Sequence, residues 1–145
     1  MKKILEDGTI LLESGGCEFR FQRPRPGVII IQSSGRDKGQ FGTAPFDEMA
    51  EDLLRFAPVE LFIDAGHVIS AIVPVQDAWT EWFSQNRSSL KSVSMLVRSN
   101  YMHFTAEVAK LFSRTGELIR VYLDPARFEE AIARAAPGYR LSRSS

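Results

Sequence analysis

VELFIDAGHVISAIVPV, residues 59–75, is the stretch whose reading decides the fold. Val59, Leu61 and Ile63 alternate with Glu60 and Phe62, and the β-branched and aromatic content favours a strand over a helix. Asp64-Ala65-Gly66 is expected to end that strand and turn the chain. In an open α/β sheet, ligands bind in the crevice outside the carboxyl ends of the strands. Asp64 and His67 are therefore the first candidates for a ligand- or partner-binding site.

On the amino-terminal side, Phe46, Met49, Ala50, Leu53, Leu54 and Ala57 recur at helical spacing, with Thr43 placed to cap and Asp47 and Glu48 in the first turns. Pro58 closes this helix. Before it stands VIIIQ, residues 28–32, a continuous apolar run suited to a strand covered on both faces. Strand, helix and strand in this order form a parallel pair with a right-handed connection. Residues 33–42, with three glycines and mixed charge, predict a mobile surface loop. That loop lacks the Gly-x-x-x-x-Gly-Lys-Ser/Thr pattern whose amides surround a phosphate. Earlier still, residues 9–12 and 18–22 predict a hairpin split by Ser14-Gly15-Gly16, followed by the turn Arg23-Pro24-Arg25-Pro26-Gly27.

On the carboxyl-terminal side, a helix is expected over 76–89, with Trp79, Trp82, Phe83 and Asn86 on one core stripe. A buried strand follows over 93–97. Ser99 or Asn100 then caps a helix carrying Tyr101, Phe104, Val108, Leu111 and Phe112, which Thr115-Gly116 ends. After a last strand over 118–123, Asp124-Pro125 opens a final helix through Phe128, Ala131, Ile132 and Ala135 that stops at Pro137-Gly138. The expected architecture is a single α/β domain over 1–137. Its mixed sheet has antiparallel N-terminal strands, parallel core strands and about four helices, and 138–145 forms a flexible tail.

Composition narrows the function. Eighteen basic and eighteen acidic residues give a formal net charge of zero, so no global field recruits nucleic acid. Cys17 has no partner for an internal disulfide, which fits a reducing cytoplasm. No apolar run reaches the length of a membrane span, so no membrane insertion is expected.

The run from Pro26-Gly27-Val28-Ile29-Ile30-Ile31 through Ser34-Gly35-Arg36, the following helix, and Val59-Glu60-Leu61-Phe62-Ile63-Asp64 resembles STAS domains, the anti-sigma-factor antagonist and sulphate-transporter-tail family. The resemblance covers roughly residues 9–135 and implies a STAS-like fold that works by binding proteins. The family carries an Asp-Ser-Ser-Gly turn before its second helix, where a partner kinase phosphorylates a serine. Here the matching region is Ser70-Ala71-Ile72-Val73-Pro74-Val75, so the phosphoserine switch is expected to be absent and its role is not carried to Ser70. A branch of the superfamily that resembles the CRAL-TRIO lipid carriers also lacks the turn. It implies the alternative of a carrier or sensor of a small hydrophobic ligand.

An enzymatic reading would assemble Asp64, His67, Ser99, Asn100 and Asp124 along one sheet edge as nucleophile, base and orienting acid. Each has a structural role at a strand-to-helix junction, however, and neither a Gly-x-Ser-x-Gly elbow nor a dinucleotide fingerprint is present. His67 and His103 share no metal-ligand spacing. The expectation is a non-catalytic regulatory or scaffold domain without cofactor or metal, bound to a protein partner or to a second copy of itself.

The helix expected after Asn100 supplies a self-association candidate. Met102, Ala106, Ala109 and Ser113 form a second line beside its core stripe, making the apolar arc wider than the roughly 100° that one core contact needs. Small residues there would let a two-fold-related helix approach closely. Ala109→Arg is expected to convert a dimer into a folded monomer, as read by mass in solution. An unchanged dimer removes this seam from consideration, and an unfolded product assigns it to the core.

Overall fold

Val28, Ile29, Ile30 and Ile31 are each buried to within 1% of full coverage. Successive strand side chains point to opposite faces, so a run buried at every position requires packed layers on both sides of the sheet. The computed structural model, which describes residues 1–98 and 117–139, provides them. Its elements are β1 (Lys2–Ile4), β2 (Ile10–Ser14), β3 (Cys17–Arg25), β4 (Val28–Asp37), α1 (Ala44–Arg55), β5 (Val59–Ala71), α2 (Val73–Gln85), a 3-10 turn (Arg87–Ser89), β6 (Leu90–Leu96), β7 (Ile119–Tyr122) and α3 (Pro125–Ala135).

The seven strands lie in sequence order, β1-β2-β3-β4-β5-β6-β7. Pairing is antiparallel from β1 to β4 and parallel from β4 to β7. Consecutive right-handed crossovers that step in one direction leave their helices on one side of the sheet. Accordingly, Met49 of α1 and Trp82 and Phe83 of α2 share a core with Ile29, Ile31, Leu61, Ile63 and Val93. Phe46 packs edge-on to Trp79 with centroids 4.7 Å apart, which joins α1 to α2. The opposite face falls to α3, whose Phe128, Ala131, Ile132 and Ala135 cover Val28, Ile30, Phe62 and Leu96.

Two polar attachments fix these layers. Arg23 on β3 donates two 2.8 Å hydrogen bonds to the carboxylate of Asp52, a buried residue on α1, and a third to the Glu48 carbonyl at 3.0 Å. The Asp52 partner raises the Arg23 pKa further above its ordinary value. On the other face, the Arg25 Nε donates to the Ala135 carbonyl at 2.7 Å, satisfying an orphan acceptor at the end of α3. Beside it, the Tyr139 hydroxyl donates to Gln22, and burial raises the pKa of that phenol.

Several expectations need correction. The strand starting at Val59 does not stop at Asp64-Ala65-Gly66 but runs on to Ala71. Residues 33–37 of the expected loop are strand, paired with that extension. β3 continues through Arg23-Pro24-Arg25 and absorbs the proline at a register shift between Gln22 and Arg25, where no ladder donor is needed. α2 begins at Val73, three residues earlier than expected, with Pro74 in its first turn. Thr43 precedes α1, but its hydroxyl donates to Asp47 at 2.9 Å instead of capping the backbone. On α1 the stripe narrows: Leu54 is 85% exposed, and Asp52, neutralised by Arg23, takes a buried position. β1 was not anticipated. Asp124, by contrast, caps α3 as expected, accepting from the Ala126 amide at 3.0 Å. Three α-helices are described; the helix expected over 101–114 lies outside the described residues, as do residues 140–145.

Cys17 is buried in the α1/α2 core, and desolvation pushes its thiol up to about 11. The backbone nearby is tighter still. Gly35 sits at φ +88°, and a Cβ placed there would lie 2.0 Å from the Gly16 carbonyl oxygen. Gly35→Ala is expected to cost about 2 kcal/mol or more, since strain and backbone overlap combine. Gly8→Ala, at φ +86° with nothing within 4 Å, should cost about 1 kcal/mol. Urea midpoints measured for both at unchanged slope check the difference.

Candidate functional site

β5 runs on past the end of β6. Asp64 pairs with Gln32 on one side and with Leu96, the last residue of β6, on the other. Beyond it, among the described residues, only β4 accompanies the strand, pairing Ser34 with His67, Gly35 with Val68, Arg36 with Ser70 and Asp37 with Ala71. One register shift precedes this segment, between Gln32 and Ser34, and another falls within it, between Gly35 and Arg36; such irregularities increase local twist. A ribbon of β4 and β5 thus extends past the end of β6, with β3 still paired to β4 at Ser34. Its tip is closed where the Ile72 amide donates to the Asp37 carbonyl at 3.1 Å and the Gly39 amide to the Asp37 carboxylate at 3.0 Å.

The ribbon has a polar base and an apolar tip. At the base, Asp64 is only 3% exposed and its Oδ1 accepts the Gly66 amide at 2.9 Å. That bond explains how Asp-Ala-Gly fits inside a strand: the carboxylate replaces the missing ladder partner of Gly66. A Cβ on Gly66 would stand 3.0 Å from Asp64 Oδ1 and 3.6 Å from Arg98 Nε. At the tip, Ile69, Ile72 and Val73 are 63%, 43% and 65% exposed. His67 and Ser70 are exposed beside them.

Asp64 and His67 therefore come together, and with Arg98, Leu123 and Pro125 they border a pocket of about 20 Å³. That volume holds about one water molecule. Ser99 and Asn100 lie outside the described residues. Arg98 was missed in the sequence because the strand before it was expected to run one residue longer, and the tip was missed because residues 67–71 were not recognised as strand. Among the described residues, no three His, Cys, Asp or Glu side chains converge on a possible metal position. No described helix is long and apolar enough to cross a membrane.

No protein-family model matches the chain, and no curated protein matches it in sequence. Solved structures do match in shape. The anti-sigma factor antagonist SpoIIAA in its unphosphorylated form superimposes with a TM-score of 0.57 at 13% identity, over 81% of this chain and 95% of that one. A DUF3478-family protein from Shewanella loihica, described as having a SpoIIAA-like fold, gives 0.55 at 12% identity, over 83% and 98%. The fold is SpoIIAA-like. The expected STAS-like α/β architecture is thereby established, with an antiparallel beginning and a parallel core.

In this SpoIIAA-like chain, Ser70 lies on β5 before Ile72, the residue that precedes α2, and the first turn of α2 is Val73-Pro74-Val75. Asp64 has a structural task at the ribbon base that an amide oxygen can also perform. Asp64→Asn is expected to keep the fold and lose about 1 kcal/mol, read from chemical unfolding. Asp64→Ala, which leaves the Gly66 amide without its partner, should lose more. Equal stability of the two variants would contradict this role.

Proposed function

We propose that the chain is a non-catalytic regulatory or scaffold domain that acts by binding another protein, and that the ribbon tip is its contact surface. The observation that carries this reading is the exposure of three branched apolar side chains, Ile69, Ile72 and Val73, on a ribbon that reaches beyond the sheet. Apolar groups grouped at a projecting tip and rimmed by polar ones have the make-up of a protein contact. His67 and Ser70, exposed beside the tip, and Arg98, exposed at the base, supply that rim, with buried Asp64 orienting the strand beneath them. Ser99 and Asn100, next in sequence to Arg98, are proposed as part of it.

The one-water pocket beside Asp64 favours binding over catalysis, because a substrate needs a far larger cleft. The carrier alternative calls for an enclosed apolar cavity, and the pocket beside Asp64 does not support it. A second copy of the chain is a further candidate partner, through the Met102, Ala106, Ala109 and Ser113 seam. The proposed setting is the cytoplasm, where a free Cys17 stays reduced.

The double variant Ile69→Asp with Val73→Asp tests the tip. Both sites are mostly exposed, so unfolding free energy should move by no more than about 0.5 kcal/mol at each. Proteins retained by the immobilised wild-type chain should be lost by this variant and kept by Leu54→Asp, which alters an exposed residue on α1 instead. Identical retention by all three chains would overturn the assignment of the tip.

A further inference from the structure

The ladder between β4 and β5 skips one residue near the ribbon tip. Gly35 pairs with Val68 and Arg36 with Ser70, so Ile69 is the extra residue of a bulge. Bulges re-aim side chains, and Ile69 is exposed. Ile72 lies beside Gly39, where a Cβ would stand 3.9 Å from Ile72 Cδ1, so no side chain of that residue covers it. Val73 follows, mostly exposed, at the start of α2.

The charged groups beside these three side chains are cations. Arg36 stands opposite Ser70, the residue after Ile69, and Lys38 precedes Gly39. Both are exposed, and neither has an acid within ion-pair distance among the described residues. The acid between them, Asp37, is buried, and its carboxylate accepts the Gly39 amide at 3.0 Å. Along β5 and α2 the first exposed acid is Asp77, in the second turn of the helix. An apolar centre flanked by unpaired cations is complemented by apolar groups bordered by carboxylates. An anionic bilayer fits less well, because two cations with no exposed tryptophan, tyrosine or phenylalanine at the tip give it little to hold. The same lack of a ring removes the stacking platform that a nucleic-acid base needs.

We propose that the partner segment meeting this tip is acidic, with leucine, isoleucine or valine on Ile69, Ile72 and Val73 and aspartate or glutamate against Arg36 and Lys38. This inference rests on the tip as the contact surface and adds the sign of the charge that faces it.

The probe is a fluorescent Leu/Glu amphipathic helix of about fifteen residues, compared by anisotropy on the full chain with a Leu/Lys helix of identical pattern. Saturable binding of the Leu/Glu helix is expected, reduced by salt and weakened about tenfold by Arg36→Glu with Lys38→Glu. Arg36→Gln with Lys38→Gln should weaken it less and serves as the second variant if the charge reversal unfolds. Ile69→Ser with Val73→Ser, which leaves the charge unchanged, should abolish binding. The proposal is overturned if the Leu/Glu helix does not bind or if binding to the folded charge variants is unchanged. If the Leu/Lys helix binds at least as well and the serine variant removes that binding, the tip stands and its assigned charge falls. If the serine variant binds the Leu/Glu helix like the wild type, the tip itself falls. Sedimentation with phosphatidylserine vesicles that is lost in the same variants would assign the tip to a membrane instead.

Discussion

Every layer in this molecule follows from the burial of β4 and β5 on both faces. Val28, Ile29, Ile30 and Ile31 pair in parallel with Glu60, Leu61, Phe62 and Ile63, so the sheet is driest at its centre. Sequential crossovers deliver α1 and α2 to one side only, and a bare opposite face would leave Val28, Ile30 and Phe62 in water. At roughly 1.5–3 kcal/mol for each large apolar side chain buried, that exposure would consume most of the stability of a domain this size. The helix after β7 resolves the problem, and Arg25 and Tyr139 hold the chain at its far end.

How much of this was legible depended on whether a local signal had a tertiary competitor. VIIIQ was readable because a short run of four β-branched residues favours a strand, and the α3 start was readable because Asp124-Pro125 carries its own cap. The extension of β5 was not, since Asp64-Ala65-Gly66 is ordinarily a stop; only the bond from Gly66 back to Asp64 makes it a strand residue. The glycines of residues 33–42 suggested mobility, whereas Gly35 is a glycine because the Gly16 carbonyl occupies the space of its side chain. β1 carried no apolar pattern at all. Its three exposed residues are held by ladder hydrogen bonds and by Lys2 on Glu48, neither of which periodicity can report. The candidate site was legible to the extent of Asp64 and His67, which the fold does bring together at the carboxyl end, while the apolar tip beyond them depended on knowing where β5 ends.

At the carboxyl end of this sheet, β4 and β5 run on past the end of β6. Where a ligand crevice would widen between strands, β5 and β4 continue upward as a twisted ribbon and the space beside Asp64 closes to about 20 Å³. The Asp64 carboxylate at the base is taken up in holding the strand, and Ile69, Ile72 and Val73 lie on the outside. That arrangement, buried acid below and exposed isoleucine above, is what the proposed contact surface rests on.

The distribution of aromatic residues separates the two faces optically. Both tryptophans of the chain, Trp79 and Trp82, sit in the cluster between α1, α2 and the sheet, while Tyr122 and Tyr139 pack on the α3 side. Indole emission therefore monitors one layer, and the near-ultraviolet signal of those tyrosines monitors mainly the other. Coincident transitions in the two signals would mean that both layers melt as one cooperative unit. Divergent transitions would mean that α3 can leave the sheet while the tryptophan cluster stays intact.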